Sequence, residues 1–407
     1  MEDNKLVRSR YKALKTISGF RDWFHATYVL FLAERGLNQL QINSINTFFM
    51  IGDFVFEPIS GFVQDKLGQI QIYWFGLFFW VLSFVTYYNG QVYWHFVVAE
   101  LLGAVGLAAI VGSLEAFLDN KLGPIEAKKV RADGRSLQKL IEMIPATLGA
   151  FAAARWGLGF PWLLSAVCTL IVLIVSIFLL KPLLKIPEKE QLIEQKYEIK
   201  LKPLDVLKFV FQDYRLIAVM ISSFIAKFVF MAYNMTWTLI FAEQFDAKFI
   251  GLLWIGVSIT TMIGFQIAKR VPNTLLIILV SLVAIGGVMF FGSIQGSIWV
   301  LLITFYVHEL FRALFHESIE SYAALRIPNK IRSSTRSVLD TASRLGAVLG
   351  LPFTGWLGDR IGLIETWRVM SLSLFLIAVI GVIILLIIRS KNNSLPTKRV
   401  LGQGSRK

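Results

Sequence analysis

Cysteine is nearly absent from the 407 residues, with Cys168 standing alone inside an apolar run. A lone thiol excludes a disulfide framework and a paired-thiol metal site, and leaves Cys168 a packing role. Histidine is almost as scarce, at four. His308 and His316 are separated by an arginine, a cation where a metal site needs donors, so no metal is expected. Neither a nucleotide loop nor a nucleophile elbow appears, and an enzyme or a cofactor therefore finds no support. Long polar stretches are missing too. Only the segment from Lys181 to Lys208, with Pro187, Pro203 and alternating Lys and Glu, stays hydrophilic for long. No signal-peptidase pattern follows the basic residues Lys5, Arg8, Arg10, Lys12 and Lys15, so the first apolar stretch is expected to be retained.

What the chain has instead is apolar length. Hydrophobic residues make up 56% and aromatics 14% of it, and the mean hydropathy is +0.63. Runs of about 20 residues, enough to cross a hydrocarbon core of about 30 Å, recur at roughly 18–36, 41–63, 70–88, 93–117, 136–155, 160–181, 213–240, 247–268, 273–292, 297–323, 334–357 and 365–388. Lipid offers the backbone no hydrogen-bond partner, so these spans must be helices. The expected fold class is an all-α membrane protein with twelve transmembrane helices in two six-helix halves. The expected divisions are 1–180, a linker at 181–212, 213–390 and a basic tail at 391–407.

The formal charge of +14 reads as membrane topology, with the lipid bilayer rather than nucleic acid as partner. Lys66, Lys121, Lys128, Lys129, Arg131, Arg135, Lys269, Arg270, Arg326, Lys330 and Arg332 fall between spans, and Arg336 at the start of one, on the side of the N-terminus, the linker and the tail. Basic residues near span ends favour the cytoplasm, so both termini are expected there, in a multi-pass protein of the plasma (inner) membrane.

The halves resemble each other. Arg135 and Arg336, Gly149 and Gly350, Gly61 and Gly264, and Ser113-Leu-Glu115 and Ser318-Ile-Glu320 are spaced by nearly constant intervals of just over 200 residues. Charge within the spans is also periodic. Spans 3, 6, 9 and 12 have none in their apolar interiors and suit lipid. Others carry Arg21 and Asp22, Asp53 and Glu57, Glu100 and Glu115, Lys139 and Glu142, Lys227, Glu309 and Arg312, or Asp340 and Arg344. A charge at mid-membrane costs about 2.5–3.5 kcal/mol on insertion scales and faces protein or water. Nested three-helix repeats would give this pattern.

Between spans 2 and 3 lies Gly61-Phe-Val-Gln-Asp65-Lys66-Leu-Gly68. Gly61 permits close helix approach, Gly68 permits positive φ, and Asp65 can cap a helix or meet a cation. This loop is similar to the Gly-x-x-x-Asp-Arg/Lys-x-Gly pattern of the major facilitator superfamily, departing at Gln69-Ile70 where that family usually has a basic pair. Glu57-Pro58-x-x-Gly61 and Leu349-Gly350-Leu-Pro352 also resemble it. The resemblance implies alternating access, with Asp65 contacting the inner end of span 11. Arg336 or Arg344 is the expected partner, supported by Glu115 with Arg131 or Arg135; Gly61, Lys66 and Gly68 complete this gate.

For substrate or proton, the candidates are Asp53, Glu57, Lys227, Glu309, Arg312, His316 and Asp340. His308, Arg312, His316 and Glu320 recur every four residues, drifting about 40° per step on a helix, as one polar stripe; structural ion pairing is the competing role for it. Lys227, deep in span 7, calls for a carboxylate partner or an anionic substrate group. Asp53 and Glu57, one turn apart, suit a proton carrier, and an ion pair with an arginine of span 11 is the alternative. His25 and His95 are expected to be packing residues, and the aromatics from Tyr73 to Trp94 an interfacial belt. The leading function is a secondary transporter exporting a small amphiphilic solute against a proton or other coupling ion. Uptake of a polar or anionic nutrient by symport, and a non-transporting receptor, are the alternatives. Asp65→Asn is expected to cut transport while folded protein stays in the membrane; unchanged flux refutes the gate.

Overall fold

The computed structural model describes residues 2–185, 203–327 and 332–394. Within them the regular structure is helical and free of strands: α1 (Glu2–Ser18), α2 (Tyr28–Glu34), α3 (Gln39–Leu67), α4 (Gln69–Asn89), α5 (Tyr93–Ile110), α6 (Ser113–Leu122), α7 (Pro124–Trp156), α8 (Phe160–Leu180), α9 (Pro203–Gln212), α10 (Tyr214–Asn234), α11 (Trp237–Ala242), α12 (Ala247–Ala268), α13 (Leu275–Ile294), α14 (Ile298–Arg326), α15 (Arg332–Ile361) and α16 (Leu363–Ser394), with a 3-10 turn at Lys181–Lys185. Each of the twelve expected spans meets a helix or a helix pair. Eight, namely α4, α5–α6, α8, α10–α11, α12, α13, α14 and α16, are long and apolar enough to cross a membrane. The others are the interrupted α1–α2 and the charge-bearing α3, α7 and α15.

Span 1 departs from the expected continuous helix over 18–36. The chain unwinds between Ser18 and Tyr28, in the middle of the first half. Irregular backbone at that depth needs polar partners from the protein, and Ser165 on α8 supplies one by accepting from the Trp23 amide at 3.0 Å. Gly149 on α7 leaves the room, since a Cβ there would overlap the Trp23 carbonyl. Span 7 breaks likewise between Asn234 and Trp237, where the Met235 carbonyl accepts from Gln39 Nε2 at 3.0 Å. The interval expected as linker also holds a helix, α9, packed on α10 and α15.

At the turn from α3 to α4 the expected glycine role is present. Gly68 has φ +92°, and a Cβ would meet the Gln71 side chain at 2.6 Å, so the chain reverses on one residue that must lack a side chain. The side chains of Asp65 and Lys139, the surroundings of Gly61 and the linker from residue 186 to 202 lie outside the described part of the structure.

The internal repeat is structural. Gly149 seats α7 on the backbone of span 1 at Trp23, and Gly350 seats α15 on the backbone of span 7 at Phe228, its Cβ position 2.5 Å from the Phe228 carbonyl oxygen. Arg135 pairs with Glu115, and Arg336 pairs with Glu320. The same residues, two hundred positions apart, do the same jobs.

The halves meet along α3 with α15 and α7 with α12. On α3 and α15 the partners run in opposite order: Gln39 with Asp359, Asn43 with Thr354 and Leu351, Asp53 with Arg344. The helices are therefore antiparallel. On α7 and α12 the close approach is at Thr147 and Ala150 against Gly251, the Cβ position of which is 2.7 Å from that of Ala150. Both seams close at the face bearing Asp359; α9 and the 3-10 turn mark the opposite, linker face.

Overpacking against fixed backbone costs about 1–3 kcal/mol. Gly350→Val is expected to lower the melting temperature of the detergent-solubilised protein by several degrees. Gly287→Ala, where the new methyl would meet only the Phe375 ring at 3.4 Å, should leave it unchanged.

Candidate functional site

Both helix breaks border one cavity of about 400 Å³. The unwound part of span 1 contributes Phe24 and His25, followed by Tyr28; the break in span 7 contributes Asn234, Met235, Trp237 and Thr238. The lining is strongly aromatic and comes from both halves. Trp162 stacks on Phe24 with centroids 4.1 Å apart and on Tyr87 at 3.9 Å, and Trp237 stacks on Trp254 at 6.0 Å and on Phe305 at 5.7 Å. His25 of the first half approaches Trp254 of the second to 6.1 Å. Such walls suit a flat apolar body, because ring faces pair in stacked or edge-on geometry.

Polar groups interrupt the aromatic wall at two places. Glu100, 9% exposed, accepts through Oε1 from the hydroxyls of Tyr28 at 2.8 Å and Tyr87 at 2.5 Å. Asn46 donates to the Tyr28 hydroxyl at 2.6 Å. On the far side Glu309, buried at 2% exposure, pairs with Arg312 at 2.7 Å, and Arg312 also donates to Asn234 Oδ1 at 2.5 Å.

A second cavity, about 570 Å³, continues from Phe49, Asn234 and Arg312, which line both spaces, toward the linker face. Its walls collect most of the expected charged residues: Asp53, Lys227, Arg312, His316, Asp340, Arg336 and Arg344. Arg344 bridges the halves, reaching Asp53 at 3.3 Å and Glu57 at 3.2 Å. Arg336 is occupied by Glu320. The expected contact of either arginine with Asp65 lies outside the described residues; the alternative pairing, Glu57 with an arginine of span 11, is present. Lys66 is exposed at the end of α3. Arg131 binds Asp119 at 2.6 Å and the Glu115 carbonyl at 3.4 Å, so Glu115, Arg131 and Arg135 form a cluster among α6 and α7, apart from the cavities.

The expected stripe on α14 divides. Arg312, His316 and Glu320 face the second cavity. His308, a step of drift away, is fully buried and packs among Phe230, Tyr233 and Phe305. The aromatic belt expected from Tyr73 to Trp94 divides too, since Trp80, Phe84 and Tyr87 point inward to line the first cavity. His25 lines it as well, stacked on Phe24 with centroids 4.9 Å apart, while His95 keeps a local bond from the Gln91 amide at 3.2 Å.

Sequence reasoning missed Glu100 as a site residue, the aromatic walls, and Asp359. That carboxylate accepts from the backbone amides of Gln39 at 2.8 Å and Leu40 at 2.9 Å, while Asn38 takes the Gln41 amide at 2.8 Å. The first amides of α3, otherwise unpaired, are met by a residue of the other half. A signal was there: Gly355-Trp-Leu-Gly-Asp359-Arg360-Ile-Gly362 repeats the residue pattern of Gly61 to Gly68, and Gly362 has φ +91° beside +92° at Gly68.

If Arg344 compensates two carboxylates, removing it should cost more than removing either acid. Arg344→Gln is expected to lower the melting temperature by about 2 °C or more, with Asp53→Asn and Glu57→Gln each closer to wild type. Equal losses in all three would remove the two-to-one arrangement.

A model of the Major Facilitator Superfamily matches residues 16–307. Among solved structures, a D323A mutant of the nucleoside transporter NupG superposes with a TM-score of 0.70 at 15% identity, covering 93% of this chain and 99% of its own. The human organic anion transporter MFSD10 (TETRAN) gives 0.60 at 16% identity, over 91% and 98%. A bacterial homolog of the human lysosomal transporter Spinster, inward-facing and unoccupied, gives 0.66 at 10% identity, over 94% and 95%. At these identities the likeness is one of fold. No curated protein matches the sequence.

Proposed function

The chain belongs to the major facilitator superfamily of secondary transporters, and we propose that its cargo is a small amphiphilic organic solute exported across the plasma membrane in exchange for protons. The observation that carries this reading is the aromatic cavity walled by both halves, with Trp162 and Phe24 on one side and Trp237, Trp254 and Phe305 on the other. A site shared between two bodies changes its access when they rock against each other. The seams at Gln39–Asp359 and Thr147–Gly251 close one face, and the second cavity runs to the other. With the termini in the cytoplasm, this is an inward-facing arrangement.

Coupling rests on counting charges. Asp53 and Glu57 face one guanidinium, so one carboxylate can take a proton while Arg344 keeps the other. Losing both pairs frees α3 from α15 at mid-length. Glu309 is tied to Arg312 in the same way. A second reading, uptake of an anionic nutrient by symport, is favoured by one observation: Lys227 lines the second cavity without a carboxylate partner among the described residues.

Reconstituted vesicles separate the readings. Proton movement opposite to the solute is the expected result; movement with it gives the symporter, and none gives a receptor. Glu57→Gln and Glu309→Gln are expected to abolish pH-driven accumulation and to keep solute exchange. Full pH-driven transport in both would remove the proton assignment.

A further inference from the structure

Lys227 makes no ion pair among the described residues. It stands thirteen residues into α10, about 20 Å along the axis at 1.5 Å per residue, too deep to reach a membrane surface. Its side chain borders the second cavity beside Phe49, Phe230, Asn234 and Arg312. Arg312, the charge beside it on that wall, is another cation. Every carboxylate bordering the same space is either spent or distant. Asp53 is held by Arg344 and Glu320 by Arg336.

Asp340 makes no ion pair among the described residues, and helix register places it away from Lys227. Gly346 and Gly350 of α15 contact the backbone at Phe224 and Phe228 of α10. The two helices are thus parallel, with Asp340 level with residue 218. That is nine residues, or about 13 Å along the axis, from Lys227. Glu309, on the cavity beyond Arg312, is the one acid for two cations, and it is already bonded to Arg312 at 2.7 Å.

We infer that Lys227 and Arg312 form a subsite for an anionic group of the cargo, the apolar ring of which lies in the aromatic cavity. The inference rests on the reading of that cavity as the substrate site and names the substrate class: an aromatic organic anion of carboxylate or sulfonate type. Arg312 lines both spaces, so it can keep one amino group on Asn234 or Glu309 and offer the other to the anion. Lys227 supplies a second charge from below. The anion completes the charge that the protein leaves open, and the rings of Trp162, Trp237 and Trp254 hold the body that a small inorganic anion lacks.

The test is a binding panel on the purified full chain: aromatic carboxylates of one to three rings, each against its own carboxamide, read by isothermal titration. Wild type is expected to prefer the carboxylate by about tenfold or more. Lys227→Met should lose that preference and Lys227→Arg should retain most of it. Equal binding of acid and amide by wild type, an unchanged preference in Lys227→Met, or no binding of any acid overturns the subsite. The unliganded protein gives an independent reading: removing an uncompensated cation is expected to raise the melting temperature of Lys227→Met, and a fall shows that Lys227 has a structural partner instead. Flux of neutral amphiphiles without preference for anions would end this inference and leave the transporter reading standing; no flux of any solute would end the transporter reading itself.

Discussion

The antiparallel contact between α3 and α15 is the constraint on which the remaining architecture depends, because it is where each half supplies what the other lacks. Asp53 and Glu57 sit on a helix of the first half with no cation of their own, and Arg344 sits on a helix of the second. A charge left unpaired at membrane depth costs about 2.5–3.5 kcal/mol, so the ion pair ties two otherwise self-contained bundles together. A seam made this way differs from one packed with leucine. Water and protons can take the place of either partner, and the halves can part without exposing a large dry surface.

The span lengths and the repeat of Gly149 and Gly350 were legible because each is a local or periodic property. Hydropathy reports which segments are apolar, yet the apolar α4 and α8 turn Trp80, Phe84, Tyr87 and Trp162 to the cavity. Period and hydropathy do not report which residue of the other half a charge will meet, and so the sequence left Arg344 open between the linker-face loop and Glu57, where the structure pairs it with both Asp53 and Glu57. The interruption of span 1 was hidden for a related reason. Apolar residues continue through it, and what sustains it is a hydroxyl on α8, Ser165, and a missing side chain on α7, Gly149, both more than a hundred residues away. The Arg21-Asp22 pair within the run was its one local trace.

The site shows the same limit from the other side. Phe24, Trp80, Tyr87 and Trp162 look in sequence like lipid-facing or interfacial rings, since aromatics serve in both settings. Only the fold turns them toward one another. Once they meet, the two spaces differ in kind: the first is a set of ring faces with a tyrosine-bound carboxylate at Glu100, the second a charged vestibule. Arg312 stands at the boundary, bonded to one helix break at Asn234.

At the closed face, the clasp formed by Asp359 has an unequal character. One side is a single carboxylate and the other is main chain, the amides of Gln39 and Leu40. Changes of side chain at those two positions leave the donors in place, whereas any change at Asp359 removes the acceptor. Evolution can therefore redraw Leu40 in size and polarity without losing the clasp, whereas Gln39 is buried and its side chain also holds the Met235 carbonyl. Evolution has one position in the second half at which to tune how long the face stays shut.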